Sequence, residues 1–250
     1  LGNEPASEQL SAALEVPTQR ARSPYVIALS LANLGIYLGF FTPIQNLLPR
    51  MSEVVDLTNK EHVLAIITGA GAFIAVVANP LAGALSDRTT SRFGRRRPWV
   101  FWGSLIGALG IAALTLPTNG TLAKSVLFLT IFWCIGQFGL NTSYSAVTAS
   151  IPDRTSIDQR GAVSGWVGLT QAVGVVIGVG IVTAAVTGLI SGTYAIAALS
   201  FLLVIPFLLT RDPVLPKSAV PKFELGGFMR GFYVSPKKYP DFSWAWITRF

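Results

Sequence analysis

The sequence predicts an all-α membrane protein with six spanning helices, and three observations carry that prediction. Of its 250 residues 51% are hydrophobic and 12% charged, about half the charged fraction of an ordinary soluble domain. Residues 23–49, 63–86, 98–123, 125–152 and 161–210 contain no Asp, Glu, Lys, Arg or His. The Lys and Arg residues collect in alternate connections between those intervals. A spanning helix needs about 20 apolar residues, because the hydrocarbon layer is about 30 Å thick and each residue rises about 1.5 Å. The first four intervals therefore fit one helix each, and the fifth fits two.

Taken in order, residues 1–22 form a polar tail without the basic-then-apolar layout of a cleaved signal peptide. Helices are expected at 25–48, 63–86, 99–117, 125–149, 162–186 and 193–210, which makes 23–210 one six-helix bundle. The last two helices separate at TGLISGTY (187–194), a polar stretch containing glycine. With the N-terminus inside, fifteen Lys and Arg residues fall on the inner side. Only Arg50, Lys60 and Lys124 fall outside, with Arg249 beyond them. The positive-inside rule thus assigns a cytoplasmic N-terminus to a multi-pass protein of the plasma or inner membrane.

Residues 211–241 read as a cytoplasmic linker. Within it KFELGGFMRGFY (222–233) sets Leu225, Phe228, Met229 and Phe232 at i, i+3, i+4 and i+7, a pattern suited to a short interfacial helix. The chain ends DFSWAWITRF (241–250), whose aromatic residues suit a membrane boundary, so 242–250 reads as the start of a seventh helix. Arg249 is then either a buried substrate or gating contact, or a side chain reaching back to the surface. The one cysteine, Cys134, permits no intrachain disulfide.

The connection SDRTTSRFGRRRPW (86–99) gathers six charges, five of them Arg. On a short loop at the bilayer such a run is first a topology signal and a contact for anionic headgroups, which argues against a nucleic-acid partner. Its order goes further. Gly83 allows close helix approach; Asp87 and Arg88 follow, then Arg92, Gly94, Arg95, Arg96 and Arg97. Pro98 stands where a helix start tolerates its missing N–H. An Arg fork can hold a carboxylate bidentately or take carbonyls at a helix C-terminus. The loop reads as a charged latch between helices 2 and 3 and a neighbour, or as plain positive-inside anchoring.

GALSDR followed by FGRRRP resembles the helix 2–3 loop of the major facilitator superfamily, in the form found in sucrose transporters. NPLAGALSDRTTSRFGRRRPW (79–99) and IPDRTSIDQRGAVSGW (151–166) also resemble loops of the glycoside–pentoside–hexuronide:cation symporters. The resemblance implies twelve helices in two six-helix bundles of inverted repeats, with substrate at the midplane between them. It implies that Gly83, Asp87, Arg88, Arg92, Gly94, Arg95, Arg96 and Arg97 serve as an intracellular gate latch during alternating access. The chain would then supply one bundle and the central loop, and its partner would be the second half of the same transporter.

The uncharged helices still carry polar side chains. Helix 4 sets Gln137, Asn141, Tyr144, Ser145 and Thr148 on one face, and helix 1 sets Ser30, Asn33 and Tyr37 on another. Facing lipid they would leave amides unpaired in hydrocarbon, so they face the bundle or a cavity. Helix 5 carries Ser164, Trp166, Thr170 and Gln171 among Gly161, Gly165, Gly168, Gly174 and Gly178, glycines that read as close helix packing. Sugars need neutral amides and hydroxyls with an aromatic for the ring face. Asn33, Tyr37, Gln137, Asn141, Tyr144 and Gln171 supply such groups, while interhelical hydrogen bonding is the alternative reading.

Two departures from the resembled families stand out. The acids they place before the helix 2 proline align with Ala75 and Asn79, and the helix 4 acid and arginine align with about Gly136 and Thr148. A Na⁺ site is therefore not expected in this bundle, and coupling would use the other half. No helix carries the His, Asp or Glu of an enzyme or metal centre, so neither metal nor cofactor is expected. The expected function is the N-terminal half of a secondary transporter for a sugar or glycoside, proton-coupled when whole. The alternatives are a non-sugar facilitator or exporter and a membrane protein that transports nothing.

Overall fold

A computed structural model of the chain describes residues 17–116, 122–216 and 220. The interfacial helix expected at 222–233, the helix start at 242–250 and Arg249 lie outside the described residues. Among those described, six helices and no strand follow in order: α1 Ser23–Val55, α2 Lys60–Ser86, α3 Arg97–Ala113, α4 Leu122–Arg154, α5 Ile157–Ala185 and α6 Leu189–Leu208. All except α3 are long and apolar enough to cross a membrane. Helix α3 has 17 residues, opens with Pro98 in its first turn and continues as a turn to Leu116.

Several helices outrun their uncharged intervals. Helix α1, expected to stop at 48, runs to Val55 through Pro43 and Pro49 by widening into a π-turn at Pro43–Leu47, where the Leu48 N–H reaches the Pro43 carbonyl. Helix α4 runs past 149 to Arg154 and α5 starts at Ile157 rather than 162, leaving Thr155 and Ser156 as the connection. The acid Asp153 thus lies in a helical turn rather than a loop. Charge marks where a helix meets water, but the backbone ladder has no reason to stop there. The α4 end is also capped from outside: the Arg160 guanidinium donates to the carbonyls of Pro152 (3.1 Å) and Thr155 (3.3 Å).

The turn expected over 187–194 shrinks to Val186–Gly188. Ser191, Gly192 and Thr193 are helical; the Thr193 hydroxyl donates to the Leu189 carbonyl (2.7 Å), and a Cβ on Gly192 would lie 3.1 Å from the Val186 carbonyl oxygen.

Helix α3 packs along α4 and also against α6; α1 packs against α5 and α6, and α2 packs against α4. Helices α2 and α5 share no packed interface among the described residues, and they leave Phe73, Val76, Trp166 and Val176 exposed. Between them lies a floor formed by α1 and α4. Tyr25, Leu29, Val100, Val147 and Phe207 fill one end of the bundle, while Leu47, Ile67, Leu129, Trp133 and Ile196 fill the other.

The closest backbone-to-backbone approach is a glycine seam between α3 and α4. A Cβ on Gly103 would lie 2.6 Å from the Ser143 nitrogen, and one on Gly107 would lie 3.1 Å from the Leu140 nitrogen; Gly139 faces the Gly107 nitrogen more closely still. The obstacle is backbone, which cannot step aside. The expectation for the α5 glycines is corrected in part: Gly174 and Gly178 do press on α1, but nothing lies within 4 Å of a Cβ at Gly161, Gly165 or Gly168. Those three lie on the exposed side of α5, where no helix packs.

Gly139→Ala is expected to destabilise the bundle by about 1–3 kcal/mol through overpacking, seen as a lower melting temperature in detergent. Gly165→Ala, with open space around it, should not lower that temperature.

Candidate functional site

The arginine-rich connection is built from local bonds outward. At the end of α2 the Ser86 hydroxyl donates to the Gly83 carbonyl (3.0 Å) and the Asp87 N–H also returns to Gly83 (3.0 Å). A turn then closes from the Gly94 N–H to the Ser91 carbonyl (3.0 Å), and the Trp99 indole donates to the Thr89 hydroxyl (2.6 Å). These bonds deliver Arg95 and Arg96 to the mouth of α4. The Arg96 side chain is buried and branches three ways: Nε to Asp153 (2.9 Å), Nη1 to the Ser86 hydroxyl (2.5 Å) and Nη2 to Asp87 (2.5 Å). Arg95 reaches the same Asp153 oxygen at 2.7 Å.

Of the expected latch residues, the structure therefore joins Asp87, Arg95 and Arg96. Gly83 admits α4, since a Cβ there would lie 3.1 Å from the Ser145 hydroxyl. Arg92 is exposed, with its guanidinium 4.8 Å from the Phe93 ring centroid. Arg97 lines a groove with Phe93, Phe101, Trp102 and Leu208. Arg88 is half-buried, and its N–H returns to Leu85 (3.2 Å). Asp153 and Ser86 were not among the expected latch residues. Asp153 stands in the stretch IPDRT, directly after the apolar run of helix 4, where its charge reads as a loop mark rather than as a partner.

A second network ties the same end. The Arg154 guanidinium lies 3.9 Å from the Tyr25 ring centroid and donates to the Thr210 hydroxyl (2.8 Å), while the Tyr25 hydroxyl donates to the Ser150 carbonyl (2.9 Å). This joins α1, α4 and the end of α6.

On the floor, α4 presents Gln137 and Asn141, both buried, with Asn141 Nδ2 donating to the Gln137 carbonyl (2.8 Å) and to Gln137 Oε1 (3.0 Å). One turn on, Tyr144 meets Tyr37 of α1 edge-to-face, their ring centroids 5.7 Å apart, and Tyr37 stacks on Phe41 at 5.6 Å. The structure thus brings together Tyr37 with Tyr144 and Gln137 with Asn141. Asn33 is fully buried elsewhere: its Nδ2 donates to the Val167 carbonyl (2.9 Å), pinning α1 to α5. Gln171 is half-buried on α5.

Asp153→Ala should strip the buried Arg96 guanidinium of the more enclosed of its two carboxylate partners. Arg96 keeps Asp87 but its buried Nε donor is left without an acceptor, so a loss of about 1–3 kcal/mol is expected, read as a fall in melting temperature, whereas Arg92→Ala at the surface should change it little.

The sequence relationships point one way. Matches to curated proteins include the general alpha-glucoside permease of Schizosaccharomyces pombe, 29% identical over 172 residues, covering 62% of this chain and 30% of the permease. The lactose permease of Lactobacillus delbrueckii is 41% identical over 58 residues, which is 23% of this chain and 9% of that protein. The sucrose transport protein SUC3 of Arabidopsis thaliana is 26% identical over 125 residues, 43% of this chain and 21% of the transporter. The chain thus spans less than a third of the length of each of these relatives. The family model of the Major Facilitator Superfamily matches residues 19–250. Its helices, its arginine-rich junction and that match make this chain a member of the Major Facilitator Superfamily.

Proposed function

We propose that this chain is the N-terminal half of a sugar or glycoside carrier working by alternating access, with the Arg96 junction as its intracellular gate. The observation that carries the substrate class is the neutral floor of α1 and α4. The Gln137–Asn141 pair engages Asn141 Nδ2 and Gln137 Oε1 with each other. The Asn141 Oδ1 acceptor and the Gln137 Nε2 donor then serve a sugar hydroxyl, and the Tyr37–Tyr144 pair beside them offers rings to the apolar face of a pyranose. The three relatives above are named for glucosides, lactose and sucrose, which supports the same class.

The open flanks of α2 and α5 take the second half of the carrier, which completes the cavity. The distribution of Lys and Arg supports placing the arginine-rich end on the cytoplasmic side of a cell membrane. Proton coupling falls to residues outside this bundle, whose floor is neutral. Asp87 is the member of the junction that can open: its side chain is 54% exposed, against 4% for that of Arg96. In Asp87→Asn the amide oxygen can still accept from the Arg96 Nη2 donor while the exposed negative charge is removed, so the variant tests gating more than folding.

Uptake of radiolabelled maltose, sucrose and lactose into vesicles holding the intact carrier tests the substrate class. Uptake of none of them, with export of hydrophobic compounds instead, would sink the sugar reading. Asp87→Asn is expected to abolish uptake while the protein remains in the membrane at normal amount. Asn141→Leu is expected to weaken sugar binding more than tenfold, about 1.4 kcal/mol or more.

A further inference from the structure

Helix α3 begins without a cap of its own. The residues preceding it are Gly94 and arginines, and an Arg side chain has no acceptor to offer the first N–H groups. The acceptor arrives from 116 positions along the chain: Asp212 Oδ2 takes the Arg96 N–H at 2.6 Å and the Arg97 N–H at 3.0 Å. The next residue continues the contact, its Pro213 carbonyl taking the Arg95 N–H at 3.1 Å. Gly94 has φ +104°, and a Cβ there would lie 2.6 Å from the Asp212 Cγ and closer still to its oxygen. Only glycine allows both that backbone and that neighbour. The strap is fastened on either side, by the Arg154–Thr210 bond (2.8 Å) and by Leu215, which is 1% exposed.

The N–H groups of three successive arginines are thus held by two residues beyond α6, while the side chains of two of those arginines grip Asp153. We infer that Asp212 is a positioning residue of the latch, which sets Arg95 and Arg96 against their acids and fastens the segment leaving the bundle to the gate; this rests on the gate reading above. Displacing that segment releases the backbone from which the latch guanidiniums project. Burial pushes the Asp212 carboxyl above its ordinary range. A neutral acceptor at this position therefore keeps both hydrogen bonds and avoids the desolvation cost of a carboxylate.

Limited trypsin digestion of the intact protein, in vesicles exposing the arginine-rich side, tests the inference. Cleavage after Arg95 and Arg96 is timed against cleavage after the exposed Arg22 in the same sample. Asp212→Ala is expected to speed cleavage at Arg95 and Arg96 at least tenfold relative to Arg22. Asp212→Asn is expected to stay within threefold of the native protein. Gly94→Ala should reproduce Asp212→Ala, and the double variant should cleave no faster than the faster single one, because both changes remove the same contact. Unchanged cleavage in Asp212→Ala, or equal acceleration at Arg22, overturns the inference, as does an Asp212→Asn protein that behaves like Asp212→Ala. The assay reads the loop and not the cargo, so it stands whether or not sugars are taken up.

Discussion

Arg96 lies 3% exposed, with a different acceptor at each branch of its fork: Asp153, the Ser86 hydroxyl and Asp87. Taking a guanidinium out of water is strongly unfavourable unless its charge and its donors are all answered. The end of α2, the start of α3 and the end of α4 must therefore converge on one point. The neighbouring contacts extend that constraint. Arg154 brings in Tyr25 of α1 and Thr210. Gln159 of α5 exchanges hydrogen bonds with the Ala21 backbone at 2.7 and 3.2 Å. One end of every helix in the bundle is thus drawn to the same polar layer.

Away from that layer the bundle is held by shape. The α3–α4 seam brings backbones close because Gly103, Gly107 and Gly139 lack side chains, and in lipid such packing replaces the hydrophobic drive that water supplies. Helices α2 and α5 behave differently, each touching the bundle along one side and showing apolar residues on the other. The Gln137–Asn141 and Tyr37–Tyr144 pairs belong to α4 and α1, the helices on which α2 and α5 pack.

Much of this was legible in the residues. Uncharged intervals identified six helices, and Pro98 marked the start of α3. The run from Asp87 to Arg97 read as a latch, and Asp87, Arg95 and Arg96 do meet in ion pairs with one another or with Asp153. Helix ends were less legible, because α4 carries its backbone ladder past Asp153 into water and turns a presumed loop acid into the partner of two arginines. The glycines of α5 are the more numerous, yet backbone meets backbone between α3 and α4, whose glycines match each other across the interface.

The sequence by itself determined the class of molecule: hydropathy is a sum over neighbours along the chain, and long uncharged runs have one low-energy environment. It also determined which end of each helix bears charge. Only the tertiary structure decided what each polar group does. Asn33 and Asn141 are the same residue type on similar apolar helices, yet one is bonded to the α5 backbone and the other to Gln137 one turn back in its own helix. Asp212 looks like any linker acid until α3 is seen to begin on it. Hydrogen bonds and ion pairs are settled between partners far apart in the chain, and no local pattern records which partner folding will supply.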